Sequence, residues 1–176
     1  MKKIALSFIA SLAVASGALA GHAVVQESKE YKGPAPIPCF RDNEFQLDIF
    51  GSYTWIESPS DDGPGGGIGL NYFFTRHIGI GVDGNLFDGG HNGLWHLSGS
   101  LIVRFPIEND ICLAPYILGG AGAALDNEAE NTWHAGGGLE WRAVPEKLGV
   151  FAEGRYIWAD DHGDAAQVRL GVRFVF

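Results

Sequence analysis

The sequence predicts an all-β protein, an eight-stranded antiparallel up-and-down transmembrane β-barrel. Three observations carry that expectation. From Glu44 onward, segments of 10–12 residues alternate apolar with polar or small side chains, separated by turn-rich breaks at residues 58–66, 75–77, 88–93, 107–110, 126–132, 144–148 and 160–164. Seven breaks make eight strands. The 176 residues include 26 Gly, 11 Phe, 5 Tyr and 5 Trp with a single Met, a composition suited to curved β structure. Finally, the aromatic residues of the apolar face gather at the strand ends. The length suits one domain. A mean hydropathy of +0.04 with 19% charged residues excludes a disordered acidic chain. After residue 25 no apolar stretch is long enough for a spanning helix. A net charge of −9 disfavours a nucleic-acid partner.

Taken in order, residues 1–20 read as a cleaved secretory signal peptide. Lys2 and Lys3 form a positive start, residues 4–14 a short apolar run, and Ala18-Leu19-Ala20 a small-residue cleavage site. No Cys follows the site, so a lipid anchor is not indicated. Loss of Lys2 and Lys3 takes the formal charge from −9 to −11. Residues 21–43, with Pro34, Pro36 and Pro38, have no periodicity and read as an extended linker. Residues 44–176 are the barrel.

Within it, strand one sets Phe45, Leu47, Ile49, Tyr53 and Trp55 against Gln46, Asp48, Phe50, Ser52 and Thr54. Strand two sets Ile68, Leu70, Tyr72 and Phe74 against Gly67, Gly69, Asn71 and Phe73. Strand three opposes Ile78, Ile80, Val82 and Leu86 to Asp83 and Asn85. Strand four opposes Trp95, Leu97, Leu101, Val103 and Phe105 to His96, Ser98, Ser100 and Arg104. Strand five, residues 111–125, is apolar or small on both faces, and Pro115 within it lacks the donor a closed sheet needs. Strand six opposes Trp133, Ala135, Leu139 and Trp141 to His134, Glu140 and Arg142. Strand seven opposes Val150, Ala152, Tyr156 and Trp158 to Glu153 and Arg155. Strand eight opposes Val168, Leu170, Val172, Phe174 and Phe176 to Gln167, Arg169 and Arg173.

A period of two fits either a soluble barrel with an apolar core or a membrane barrel with an apolar exterior. Aromatic placement decides. Tyr53, Trp55, Trp95, Trp133, Tyr156 and Trp158 mark one end; Phe45, Tyr72, Phe74, Phe105, Trp141, Phe174 and Phe176 mark the other. Aliphatic and small residues fill the band between. Two aromatic girdles are what two membrane–water interfaces favour. The polar face then lines the lumen, where Asp48, Asp83, Glu140 and Glu153 meet Arg104, Arg142, Arg155, Arg169 and Arg173, a net +1. Guanidinium–carboxylate forks suit such an interior.

With leader, meander and a strand ending in Phe176, residues 44–176 resemble the small eight-stranded outer-membrane β-barrels of Gram-negative bacteria, of the OmpA-like transmembrane-domain type. The resemblance implies export to the cell outer membrane with the linker in the periplasm. It also implies contact with outer-membrane lipid and lipopolysaccharide. Phe176, with Phe174, Val172, Leu170 and Val168 before it, resembles the signal read by the outer-membrane assembly machinery. A monomer is expected. A periplasmic N-terminus and an even strand count put both ends of the barrel on the periplasmic side. The outer loops and strand ends then carry ten acids (Glu57, Asp61, Asp62, Asp88, Asp126, Glu128, Glu130, Asp160, Asp161 and Asp164) and no Lys or Arg. Such charge keeps short loops hydrated. The alternative is a divalent-cation rim, with Asp61, Asp62, Asp160, Asp161 and Asp164 as ligands. Cys39 and Cys112 fall on the periplasmic side of an oxidising compartment, and their pairing would pin the linker across the mouth. The reach from Cys39 to Glu44 is about 17 Å, enough to cross a small barrel. Two unpaired thiols are the alternative.

Certain small barrels of this kind are lipid A deacylases with a His-x-Ser pair. His96-Leu97-Ser98 is similar, but the alternation turns both side chains inward, and the pair lies on strand four rather than near the C-terminus. No enzyme is expected. Neither a cofactor nor a metal centre is expected, because no metal-ligand cluster, phosphate loop or dinucleotide fingerprint is present. The leading expectation is a non-enzymatic barrel with a structural or surface-interaction role. The alternatives are a secreted soluble barrel binding a small apolar ligand and a small pore, the latter suggested by the inward Gly67, Gly69, Gly79, Gly81, Gly136 and Gly138.

Overall fold

A computed structural model describes residues 38–56, 62–88, 93–107, 111–125, 129–159 and 163–176. The leader and residues 21–37 of the linker lie outside that set. Eight strands follow one another: β1 (Glu44–Ile56), β2 (Gly63–Phe73), β3 (Ile78–Asp88), β4 (Gly93–Arg104), β5 (Leu113–Leu125), β6 (Ala129–Val144), β7 (Leu148–Ala159) and β8 (Ala165–Val175). Each pairs antiparallel with the next, and β1 closes onto β8. Closure follows from the sequence pattern. Seven of the eight strands are two-faced, and a closed sheet leaves no edge unpaired. At the seam, Phe176 N donates to Phe45 O at 2.9 Å, so the final residue completes the ring.

The expected faces are observed. Leu170, Ile68, Val82, Trp95, Trp133 and Phe176 are among the most exposed apolar side chains, while Gln46, Asn85, Arg104 and Glu140 are buried. Outward rings meet at both ends, Tyr53 with Trp55 and Tyr156 with Trp158 at one, Tyr72 with Phe74 and Phe45 with Phe176 at the other. We call the end holding Glu44 and Phe176 the terminal mouth and its opposite the distal mouth.

Three differences from the sequence reading have physical causes. Residues 63–66 and 129–132, read as turn, are strand. Residues 63–66 pair with Gly51–Thr54 of β1, and at the next position a Cβ on Gly67 would collide with the Gly84 carbonyl oxygen and stand 2.7 Å from the Phe50 ring. The same socket geometry sets Gly79 against Phe73, Gly138 against Tyr116 and Gly171 against Phe151. Four inward glycines therefore seat aromatic rings, while Gly69, Gly81 and Gly136 lie against Asp83, Asn71 and Arg155. The ambiguous strand resolves with Tyr116 and Leu118 inward and Ile117 outward. Pro115 falls at the ladder's end. Arg104 opposite Tyr116 is the last pair with β4, and Phe105 N donates to Pro115 O at 2.8 Å. The missing donor thus costs one bond at the rim.

Candidate functional site

The interior is the only place where these residues bring chemistry together on a large scale among the described residues. Five carboxylates (Glu44, Asp48, Asp83, Glu140, Glu153) and five guanidiniums (Arg104, Arg142, Arg155, Arg169, Arg173) are buried there. The sequence reading counted four acids and a net +1. Glu44, placed at the start of the barrel but not counted among the lumenal charges, completes a neutral set. Its parity with Gln46 and Asp48 was the signal that could have found it.

The charges form two tiers. Near the terminal mouth, Glu44 Oε1 accepts from Arg104 NH1 at 2.8 Å and from Arg142 NH2 at 2.6 Å. Arg173 NH1 reaches Glu140 at 2.6 Å, while its Nε and NH2 grip both oxygens of Asp48 at 2.7 and 2.6 Å. Asn71 Nδ2 donates to Asp48 at 2.8 Å. In the second tier, Asp83 accepts from Arg169 at 2.7 Å, Arg155 at 3.0 Å and Ser98 at 2.9 Å. Glu153 accepts from Arg155 Nε and, at 2.9 Å, from Tyr116 OH. Aromatic faces cover the cations: Arg104 lies 3.8 Å from the Phe73 centroid, Arg169 4.6 Å from Phe50 and Arg173 4.7 Å from Phe151. The space left among Asp48, Asp83, Arg155 and Arg173 is about 10 Å³, room for one water at most.

The distal tier is uncharged. His96 Nε2 and Thr132 Oγ1 are 2.9 Å apart, Ser100 Oγ and His134 Nε2 are 2.8 Å apart, and Gln167 Nε2 donates to Thr54 at 2.9 Å. His96 and Ser98 are not brought together, since Ser98 turns to Asp83. The Ser100–His134 contact was not foreseen. Among the described residues His134 Nδ1 has no hydrogen-bond partner, so no acid orients that ring.

At the terminal mouth, Cys39 is bonded to Cys112, with Cα atoms 5.5 Å apart. The linker's end therefore crosses the opening, as the spacing suggested. Phe40, which carries no periodic signal, is 1% exposed and enters the barrel between Arg104 and Arg142, its ring 4.9 Å from each guanidinium carbon. Of the acidic rim, Asp61, Asp160 and Asp161 lie outside the described residues. Asp62 accepts from Ile56 N at 2.7 Å and Asp164 from Tyr156 OH at 3.0 Å. No cluster of three or more metal-ligating side chains occurs among the described residues. Phe176, Phe174, Val172 and Leu170 all face outward.

A family model described as outer membrane protein beta-barrel domain matches residues 7–176. Among solved structures, the N-terminal β-barrel domain of Pseudomonas aeruginosa OprF aligns with a TM-score of 0.63 at 17% identity, covering 77% of this chain and 99% of that one. Ail, the attachment invasion locus protein of Yersinia pestis, aligns with a TM-score of 0.57 at 17% identity, covering 77% and 99%. Neisserial surface protein A aligns with a TM-score of 0.57 at 15% identity, covering 74% and 95%. At these identities the likeness is one of fold. No curated protein matches the sequence.

Proposed function

This chain belongs to the outer membrane protein beta-barrel domain family and resides in the cell outer membrane, and from that premise we propose that it is a closed, non-conducting and non-enzymatic barrel with a structural or surface-interaction role. One observation carries the reading: a charge-balanced network of ion pairs, backed by aromatic rings, occupies the lumen, and the space among Asp48, Asp83, Arg155 and Arg173 at its centre is about 10 Å³. Eight strands enclose a bore that side chains fill. A hydrated ion would have to displace several buried pairs at once, each costly to break.

In this reading the terminal mouth faces the periplasm, and residues 1–20 are removed on export. The outward band and its girdles contact lipid and lipopolysaccharide, and the strand ending in Phe176 is read by the assembly machinery. The chain works as a monomer. The distal loops present the acidic rim, with divalent cations as its natural counter-ions. That rim also constrains surface partners. Ail has been crystallised with a heparin analogue. Ten acids without a Lys or Arg at the distal end would repel such a polyanion. A cationic or neutral surface is the better match.

The test is conductance in a planar bilayer, with protein purified from outer membranes. Folded insertion is checked by the mobility difference between unboiled and boiled samples in SDS gels. Flat current traces are expected. Reproducible unitary steps would overturn the closed-barrel reading.

A further inference from the structure

We propose that residues 38–43 form a redox-operated latch over the terminal mouth. The Cys39–Cys112 bond holds Phe40 in the barrel, and a dithiol reductant releases it and uncovers the ionic cluster beneath.

The observations lie in the strap and its seat. The strap is outside the sheet. Pairing with β2 begins at Glu44 opposite Phe73, so residues 38–43 contribute no rung to the barrel. Among the described residues their polar attachments are four: Asp42 accepts from Arg76 N at 2.6 Å, Asn43 accepts from Tyr72 OH at 3.1 Å, Arg41 O accepts from Arg104 NH2 at 3.4 Å, and Arg41 N donates to Glu44 Oε2 at 3.4 Å. The Arg41–Glu146 pair is long at 3.8 Å and solvent-screened. The covalent bond is the strongest fastening. The strap's last residue and its covalent anchor both sit in left-handed backbone that non-glycine residues seldom adopt, Asn43 at φ 54° and Cys112 at φ 49°. Conformations of that kind persist only where the surroundings enforce them. Asn43, directly before β1, is the natural hinge.

What the strap covers is also distinctive. Phe40 is stacked between two guanidiniums that share one carboxylate. Glu44 and Arg104 are fully buried, and Arg142 is 2% exposed. Withdrawal of the ring would open this cluster to water from the mouth while the sheet remains closed.

The chemistry balances. A reductant thiolate attacks the Cys112 sulfur, which is only partly buried, whereas Cys39 is 7% exposed. The sulfur–sulfur bond breaks, and Cys39 departs as a thiolate that takes up a proton. The reductant's second thiolate then attacks the mixed disulfide. Cys112 departs as a thiolate and is protonated, and the reductant is left as its own disulfide, having supplied two electrons and two protons.

The experiment uses the protein purified from outer membranes in detergent micelles, treated with trypsin before and after dithiothreitol, with cleavage after Arg41 followed by mass spectrometry. Reduction is expected to speed that cleavage at least tenfold while the boiled-versus-unboiled mobility shift persists. C39S should show the fast cleavage without reductant. Equal cleavage rates in oxidised and reduced protein would overturn the proposal, because the strap then stays docked without its bond. Loss of the mobility shift on reduction would overturn it too, because the bond would then be a staple of the barrel itself. Protection of Arg41 in C39S would have the same force. None of these outcomes bears on conductance, so the latch and the closed-barrel reading fail independently.

Discussion

The two ends of the lumen are built from different chemistry. The terminal half holds charges: three carboxylates and three guanidiniums from β1, β4, β6 and β8, roofed by Phe40 and fastened by a disulfide. Beyond a second charged tier of Asp83, Glu153, Arg155 and Arg169, the distal end holds neutral partners, imidazole with hydroxyl and amide with hydroxyl, and no covalent link among the described residues. The backbone is the same closed ladder throughout. The contrast therefore concerns what fills the ladder. In the terminal half each group depends on two or three others, so removal of one leaves charge stranded in a dry interior. At the distal end the two histidine contacts are separate pairs, so loss of one leaves the other intact, whereas Gln167 also accepts from Arg169 Nε at 2.5 Å.

The largest effect is expected where the dependence is greatest. Arg173 serves both Asp48 and Glu140. Arg173→Ala would leave two buried carboxylates short of their main counter-charge, at a cost of about 3–5 kcal/mol. Urea unfolding from lipid vesicles, followed by tryptophan fluorescence, measures it. A loss below about 1 kcal/mol would mean that the terminal tier is hydrated and that the two halves differ little. The next effect sharpens the contrast by leaving the lumen alone. Val82 is 55% exposed, midway along β3 and opposite Leu70 and Gly99. Val82→Arg would place a charge at mid-bilayer and cost about 2–4 kcal/mol. A neutral result in the same assay would show that this face does not meet hydrocarbon.

Much of this was legible in the sequence because a barrel's logic is local. Alternation at period two decided the faces of seven strands, and ring placement at the strand ends decided which face meets lipid. The cysteine pair and the bridging reach of the linker were legible for the same reason: an even count and a contour length suffice. Three things were not. Glu44 was left out of the lumenal charges because it sits one residue before the first apolar position, although its parity assigns it to the lumen. The chain through residues 63–66 looked like a turn because glycine and proline punctuate turns. Here they stay in the ladder against β1 and β3, and that pairing comes from across the strands. Phe40 carried no periodic signal at all. Its burial depends on the guanidiniums of Arg104 and Arg142, which lie more than sixty positions away in the chain.

The smallest effect is expected in the distal half. His134 contributes one contact to Ser100, and its Nδ1 finds no partner among the described residues. A neutral hydrogen bond contributes only about 1 kcal/mol net, and an unpaired buried nitrogen offsets part of that. His134→Leu should therefore cost about 1 kcal/mol or less, the loss coming from the stranded Ser100 hydroxyl. Removing that hydroxyl as well, in Ser100→Ala with His134→Leu, should recover most of it, because apolar replacement of both partners leaves nothing unpaired. The same urea series reads both variants. A double variant as damaging as Arg173→Ala would show that the distal tier is coupled to the charges beneath it, and the lumen would then be one network rather than two.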